Sequence, residues 1–186
     1  MRRFVSAVLV VLCAAAAWAA APAAFIQAPQ APTAARRLTI LVIHGPNMNL
    51  LGKREPAIYG SMTLDEVNAR IGAVAKELDV DLVTLQSNHE GVIVDALQQH
   101  MNTAPGAGTN AAGLSFHSVA IHDAIKAMPF PVVEVHMSNL ATRDAIHQHS
   151  IVTAAVRGTV MGFGWRSYTT GLRAVVEMAR EPEAKP

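Results

Sequence analysis

The chain alternates between apolar runs typical of buried strands and stretches that carry apolar residues at helical spacing. Apolar, β-branched runs predict strands, and apolar residues that recur every three or four positions predict helices. Thr63 and Glu66 form a predicted capping box at the start of a helix over 63–79. The predicted strands cover 38–43, 81–87, 132–138 and 159–163, and the other predicted helices cover 91–101, 118–128 and a final stretch through Arg173 to about Arg180.

Strands that alternate with helices predict an α/β fold with one parallel sheet, because right-handed crossovers place helices on both of its faces. In such sheets, ligands bind beyond the carboxyl ends of the strands. This rule directs attention to the loops after Ile43, Gln86 and Val135 and to the segment near Asn110. These four loops contain polar residues that core packing does not require.

The N-terminal segment differs in composition from the rest of the chain. Arg2 and Arg3 precede a long apolar run that ends in small-x-small patterns, which is typical of an export signal peptide over 1–24. The alternative is an uncleaved membrane anchor, since the run approaches the length of a bilayer span. Residues 25–37 are expected to form a flexible linker, and 38–186 a single domain. The sequence therefore predicts an exported, periplasmic protein.

Charge and cysteine content exclude several kinds of partner and site. The full chain has a formal charge of +1 at pH 7, and removal of Arg2 and Arg3 with the signal peptide changes it to −1. Nucleic-acid binding then lacks an electrostatic basis. Cys13 is the only cysteine and would be removed too, so no disulfide or cysteine metal site is expected. The histidines lack a metal-ligand spacing, and we expect neither a metal nor a cofactor.

Five motifs supply a more specific interpretation: GPNMNLLGKREPAIYG (45–60), QSNHEG (86–91), SVAIHDA (118–124), EVHMSN (134–139) and GFGWRSY (162–168). Their order and spacing resemble those of the type II 3-dehydroquinate dehydratases, from about Leu38 to the C-terminal helix. The resemblance implies a flavodoxin-like three-layer sandwich with a parallel five-stranded sheet, and a metal-free dodecamer of trimers. It also implies a lyase that removes water from 3-dehydroquinate to give 3-dehydroshikimate, by anti elimination through an enolate.

The resemblance assigns the elimination chemistry to residues on these loops. Tyr59 matches the family's base. A free phenol has a pKa of about 10 and is mostly protonated at neutral pH, so it needs a fixed cation nearby. Arg54 matches the family residue that supplies this cation. Asn47 matches the residue that positions a water at the enolate oxygen, His136 matches the general acid, and Glu134 lies where the family orients catalytic side chains.

The resemblance also assigns a site for a small carboxylate substrate. Asn110 and the backbone amides of Met137 and Ser138 correspond to the family's carboxylate site, where backbone donors suit an anion. Asp123 matches a residue contributed across the trimer interface. Arg143 matches an arginine near the family's mobile lid.

The chain departs from the family pattern at two positions. Phe116 stands where the family usually has a histidine, and His117 follows one place later. His147 replaces the arginine that the family has four residues beyond Arg143. Both family side chains hydrogen-bond substrate hydroxyls, so the resemblance implies altered recognition of the ring hydroxyls. A one-residue shift that brings His117 into the pocket is the alternative.

Two classes of function follow. The first is an exported dehydratase acting on 3-dehydroquinate or a close relative, in quinate catabolism rather than in aromatic amino acid biosynthesis by the shikimate pathway. The second is a non-catalytic or substrate-shifted relative that binds another cyclic hydroxy-keto carboxylate. Retention of both a base, Tyr59, and an acid, His136, favours the enzyme, because binding alone needs neither. A trimer-based homo-oligomer is expected, with membrane contact only if the N-terminal segment stays uncleaved.

Overall fold

A computed structural model of the protein describes residues 37–181, which form one parallel sheet with helices on both faces. The strands are β1 Thr39–His44, β2 Asp81–Gln86, β3 Ala107–Asn110, β4 Val132–His136 and β5 Gly158–Met161. The helices are α1 Pro56–Tyr59, α2 Leu64–Glu77, α3 Glu90–Gln99, α4 Val119–Lys126 and α5 Arg166–Arg180. The strand order is β2-β1-β3-β4-β5. The predicted α/β class and its five-stranded, flavodoxin-like sheet are confirmed.

Successive residues of β1 point to opposite faces of the sheet and enter two separate cores. Ile40 and Val42 pack in the core that includes residues of α2 and α5. Leu41 and Ile43 pack in the core that includes residues of α3 and α4. A strand buried on both faces has no polar side, which explains the continuous apolar run in its sequence.

Helices α2 and α4 start close to their predicted positions, and a side chain caps each of them. The Thr63 hydroxyl accepts from the Glu66 backbone N–H, and the Glu66 carboxylate accepts from the Thr63 N–H at 2.7 Å, so the predicted capping box is confirmed. Ser118 caps α4 by accepting from the Ile121 N–H at 2.9 Å. Such caps satisfy backbone donors that the first helical turn leaves unpaired.

The central strand β3 is the element that its sequence predicts least well. It lies in PGAGTN (105–110), which has one β-branched residue, yet it pairs with β1 on one side and β4 on the other. Gly106, just before β3, is needed because α5 packs closely on the sheet at this point. A Cβ on Gly106 would lie 2.5 Å from a Val175 methyl carbon. Tertiary pairing therefore overrides weak local strand preference.

The stretch after β1, which the sequence presents as a loop, contains a short 3₁₀ turn and the one-turn helix α1. Asn47 precedes the 3₁₀ turn in the left-handed conformation, with a φ of 65°. Gly45 lies so close to the end of β3 that a Cβ there would be 2.4 Å from the Ala111 carbonyl oxygen. The glycine thus allows the loop to cross closely over β3.

The predicted signal peptide, Cys13 and all of the predicted linker except Arg37 lie outside the described residues. Within 37–181, none of the helices has both the length and the apolar character needed to cross a membrane.

Candidate active site

A cavity of about 130 Å³ lies at the carboxyl ends of β1, β3 and β4, where three of the four polar loops meet. Ten of the thirteen predicted site residues line it. The other three are Glu134, which lies behind His136, and the exposed residues Asp123 and His117. The ten lining residues are Asn47, Arg54, Tyr59, Asn110, Phe116, His136, Met137, Ser138, Arg143 and His147.

Tyr59 ends α1 and lies between two arginines. Arg143 Nη1 donates a hydrogen bond to the Tyr59 hydroxyl oxygen at 3.0 Å and a second one to Ser138 Oγ at 3.2 Å. The guanidinium carbon of Arg54 lies 5.0 Å from the centre of the Tyr59 ring, and Arg54 also pairs with Glu55 at 2.6 Å. The cation at the phenol oxygen is therefore Arg143, whereas Arg54 faces the ring.

His136 and Glu134 form a buried pair on β4. They lie two residues apart and point to the same side of the strand, and His136 Nε2 donates to Glu134 Oε1 at 2.9 Å. Burial raises the pKa of the Glu134 carboxyl, but hydrogen bonds from His136, Ser150 and Thr153 outweigh it, so the net pKa is lowered. Glu134 is thus held as a carboxylate that fixes the imidazole and leaves its Nδ1 free of the pair.

The hydroxyl donors around Glu134 were not predicted from the sequence. Ser150 Oγ donates to Oε1 at 2.6 Å, Thr153 Oγ1 donates to Oε2 at 2.5 Å, and Thr159 Oγ1 donates to Oε2 at 3.3 Å. Ser150 and Thr153 belong to the segment between β4 and β5, and Thr159 belongs to β5, between 16 and 25 residues after Glu134. No local pattern links them to the carboxylate, because the chain reaches it only through the fold.

The loop after β2 supports the site from behind without lining the cavity. Asn88 Oδ1 accepts from the Asn47 backbone N–H at 2.9 Å and from Gln86 Nε2 at 3.1 Å. Gln86 also donates to the Gly45 carbonyl at 3.2 Å. These bonds fix the backbone that carries the Asn47 side chain. The sequence indicated this loop but assigned no role to its residues.

Asn110 ends β3 and is buried at the floor of the cavity. Its Oδ1 accepts from the Ala112 N–H at 3.1 Å, and its Nδ2 donates to the Tyr168 hydroxyl oxygen at 3.0 Å. Tyr168 also contacts His44 Nδ1 at 3.0 Å. Burial lowers the pKa of His44 to about 4, partly offset by its hydrogen bond to Asn68. Sequence reasoning assigned Asn110 to the carboxylate site but gave no role to Tyr168 or His44.

The two departures from the family pattern meet in the cavity wall. The rings of Phe116 and His147 are 5.1 Å apart in an edge-to-face arrangement, and Phe116 also stacks on His136 with 6.3 Å between ring centres. His147 Nδ1 lies 2.5 Å from Asp144 Oδ1. Phe116 thus occupies the wall itself, and His117 remains outside the cavity formed by the described residues.

Metal ligation has no obvious place in the described part of the chain. Across 37–181, no group of three or more His, Cys, Asp or Glu side chains is arranged to hold a metal ion. The polar side chains that line the cavity are instead two guanidiniums, a phenol, a serine hydroxyl, two imidazoles and two amides.

Fold and cavity together define the class: a doubly wound α/β protein with a phenol base candidate and an imidazole acid candidate at the carboxyl ends of its strands. Comparison with known proteins identifies the family. The model of the family described as dehydroquinase class II matches residues 38–176. The chain therefore belongs to the class II dehydroquinase family, and it is an enzyme of the type II dehydratase class.

Similar proteins support this assignment along nearly their whole length. The 3-dehydroquinate dehydratase of Gloeothece citriformis is 47% identical over 148 residues, which cover 80% of this chain and 97% of that protein. That of Brucella canis is 46% identical over 145 residues, covering 78% and 92%. The crystal structure of type II dehydroquinase from Propionibacterium acnes has a TM-score of 0.73 and 35% identity, covering 76% of this chain and 99% of that one.

Proposed function

We propose that the cavity removes water from 3-dehydroquinate to give 3-dehydroshikimate, with Tyr59 as base and His136 as acid. One observation carries this assignment. The Tyr59 phenol, hydrogen-bonded to a guanidinium, and the His136 imidazole, hydrogen-bonded to a carboxylate, line the same small cavity. Membership of the class II dehydroquinase family supports the substrate and the reaction.

The base half of the reaction uses Tyr59 and its two arginines. The Tyr59 phenolate takes the proton next to the ketone, and the electron pair of that C–H bond moves into an enolate. Arg143, bonded to the oxygen, and Arg54, near the ring, stabilise negative charge on the phenol by their fixed positive charges. Asn47 holds a water that donates to the developing enolate oxygen, which spreads the charge in the transition state.

The acid half uses His136 and Glu134. As the enolate collapses, the C–O bond to the β-hydroxyl breaks, and the imidazolium of His136 protonates the departing oxygen so that it leaves as water. Glu134 accepts the other ring N–H and balances the positive charge of the protonated ring. Transfer of the proton from Tyr59 back to His136 through solvent restores the starting state.

Asn110 and the amides of Met137 and Ser138 bind the substrate carboxylate in this proposal. All three residues line the cavity, and Arg143 donates to the Ser138 hydroxyl. Asp123 is exposed on α4, which suits a residue that completes the site of a neighbouring subunit. The trimer-based oligomer is further supported by large apolar side chains exposed on the surface of residues 37–181, including Val119, Ile146 and Phe163.

The pair of Phe116 and His147 favours a variation on this function. An aromatic ring packed edge-to-face on an imidazole leaves one less polar group for the hydroxyls of the substrate. The second candidate is therefore a substrate-shifted enzyme, which removes water from a related cyclic hydroxy-keto carboxylate with fewer hydroxyls on that side.

The cellular role that we propose is quinate catabolism outside the cytoplasm. It rests on the predicted signal peptide over 1–24, because an exported dehydratase meets external quinate-derived material rather than cytoplasmic biosynthetic intermediates.

The deciding experiment follows the ultraviolet absorbance of the conjugated enone after 3-dehydroquinate is added to purified protein. The matched control is His136→Ala, purified in the same way, which reports any contaminating host dehydratase. We expect turnover by the wild type and a loss of about 10²–10⁴-fold in the control. Equal rates in both preparations would contradict the proposal, because the turnover would then not depend on the cavity. Absence of turnover by both would favour the non-catalytic relative if 3-dehydroquinate binds tightly, and the substrate-shifted relative if it binds weakly.

A further inference from the structure

Four polar side chains form a continuous line of hydrogen bonds behind the cavity. His44 ends β1 and is fully buried, with Nε2 2.9 Å from Asn68 Oδ1 on α2 and Nδ1 3.0 Å from the Tyr168 hydroxyl on α5. Tyr168 accepts in turn from Asn110 Nδ2 at 3.0 Å. The line thus connects a partly buried residue of α2 to the floor of the cavity through two buried rings.

For a neutral imidazole that faces the Asn68 carbonyl oxygen, the hydrogen atoms along this line have one consistent arrangement. The Asn68 carbonyl oxygen is purely an acceptor, so His44 Nε2 carries the ring hydrogen. His44 Nδ1 must then accept, and the Tyr168 hydroxyl donates to it. The Tyr168 oxygen keeps its lone pairs for the Asn110 amide.

Burial keeps both rings of this line neutral. Desolvation lowers the pKa of His44 to about 4, and it raises the pKa of Tyr168 above its usual range. A neutral imidazole has one acceptor nitrogen, which this arrangement requires, whereas an imidazolium has none.

The line determines the direction in which the Asn110 amide points. Its oxygen accepts from the Ala112 N–H, and one hydrogen of Nδ2 goes to Tyr168. Within residues 37–181, the further contact of Nδ2 is with the sulfur of Met48, 3.8 Å away, which is a weak acceptor. The second amide hydrogen is therefore available to a ligand in the cavity.

We propose that His44 and Tyr168 are positioning residues that aim the Asn110 amide at the substrate, with Asn68 fixing the histidine tautomer. The proposal rests on the proposed role of Asn110 in holding the substrate carboxylate. It extends that role to three side chains that do not line the cavity, one of them on the outer layer of the fold.

The first test is the effect of Tyr168→Phe on the two kinetic constants. The variant keeps the ring but loses the oxygen that orients Asn110, so we expect KM to rise about three- to tenfold, the range for one hydrogen bond, with kcat changed less. The matched control is Thr109→Val on β3. The Thr109 hydroxyl is fully buried and has no hydrogen-bond partner in the described part of the chain, so its removal should leave KM unchanged.

A double-mutant cycle separates positioning from general loosening of the core. If Tyr168 acts through Asn110, adding Tyr168→Phe to Asn110→Ala should raise KM no further. Additive effects on KM would overturn the inference. An unchanged KM in Asn110→Ala alone would remove Asn110 from substrate binding, and the proposed role and the inference would fail together. A raised KM in Asn110→Ala with none in Tyr168→Phe would overturn the inference alone.

Asn68 supplies a second test that does not remove a buried hydroxyl. Asn68→Leu leaves the imidazole free to adopt either tautomer, and we expect KM to rise. Asn68→Asp keeps an acceptor at Nε2, as carboxylates do in hydrolase triads, and should retain a wild-type KM at about pH 8, where imidazole is neutral. Equal KM values for Asn68→Leu and the wild type, with both proteins folded by circular dichroism, would overturn the role of the tautomer.

Discussion

Tyr59 lies between two guanidinium groups that contact it in different ways. Arg143 donates to its oxygen, whereas Arg54 lies over its ring and pairs with Glu55. A hydrogen bond from a cation to the oxygen favours the phenolate more directly than a cation above the ring face, because charge develops on the oxygen. The cation that contacts the oxygen therefore comes from outside the motif that contains Arg54, at a position 84 residues after Tyr59.

We expect Tyr59→Phe to lower kcat by about 10²–10⁴-fold, the usual contribution of a general base. The ring stays, so substrate affinity and the melting temperature should remain near those of the wild type. Steady-state kinetics with thermal denaturation as the folding control check both points. Near-normal turnover by a folded variant would exclude Tyr59 as the base.

The contact between Phe116 and His147 predicts that the cavity binds the ring hydroxyls of the substrate weakly. Each missing hydrogen bond to a hydroxyl is worth about 0.5–1.5 kcal/mol, so Phe116→His together with His147→Arg should lower KM by about tenfold or more. The control is His117→Ala, which changes an exposed residue beside Phe116 and should leave KM unaltered. A sharp rise of KM in His117→Ala, with no gain in the double variant, would instead support the one-residue shift.

Burial of the neutral His44 ring predicts that the free energy of unfolding falls in acid. The unfolded histidine binds a proton below about pH 6.5, but burial delays protonation in the folded state to about pH 4. The unfolded state therefore binds more protons in this window, and the free energy of unfolding falls as the pH falls, by up to about 3 kcal/mol. Denaturant titrations of the wild type and His44→Gln measure this difference.

The difference between the pH profiles of the wild type and His44→Gln reports the titration of His44, because the two proteins have the same carboxylates. Thr109→Val, a buried change without a titrating group, controls for the general effect of altering the core. Parallel pH profiles of the wild type and His44→Gln would show that His44 is not buried as a neutral ring.

Among the elements, those with local patterns are predictable and those held by contacts are not. The capped helix α2 begins one residue from its predicted start, and β1 is recognised by its continuous apolar run. The central strand β3 has weak strand preference and forms because two neighbouring strands complete its hydrogen bonds. The helix α1 is a single turn, too short for any periodicity to predict.

The close crossing of the first loop over β3 makes Gly45 the most sensitive position in that loop. A Cβ would lie 2.4 Å from the Ala111 carbonyl oxygen, so Gly45→Ala must push the loop away from the end of β3. We expect a loss of about 2 kcal/mol or more in the free energy of unfolding, together with a raised KM, because Asn47 and Asn110 move apart.

The matched control lies one strand away. Gly108→Ala places a methyl group where no atom lies within 4 Å, and its effect on stability should be small. Chemical denaturation of both variants gives the comparison. Equal stability of Gly45→Ala and Gly108→Ala would contradict the close crossing.

At the level of the whole protein, the predicted signal peptide over 1–24 leads us to expect an enzyme that works outside the cytoplasm. We expect the mature protein to begin between about Ala20 and Gln27 and to be found outside the cytoplasm. Mass spectrometry of the N-terminal peptide, after fractionation of native cells, measures both. Recovery of an intact Met1–Arg37 segment in the cytoplasmic fraction would contradict export and the catabolic role proposed with it.

The sequence by itself determined the alternation of strands and helices, the family and the identity of most cavity residues. Those features depend on neighbouring residues, through periodicity, capping and motif spacing, and so they can be read along the chain. Only the tertiary structure decided which groups touch: Arg143 on the phenol oxygen, the hydroxyls around Glu134 and the line from Asn68 to Asn110. These contacts join residues from distant parts of the chain, because parallel strands bring their carboxyl ends to one edge only after the crossovers are folded.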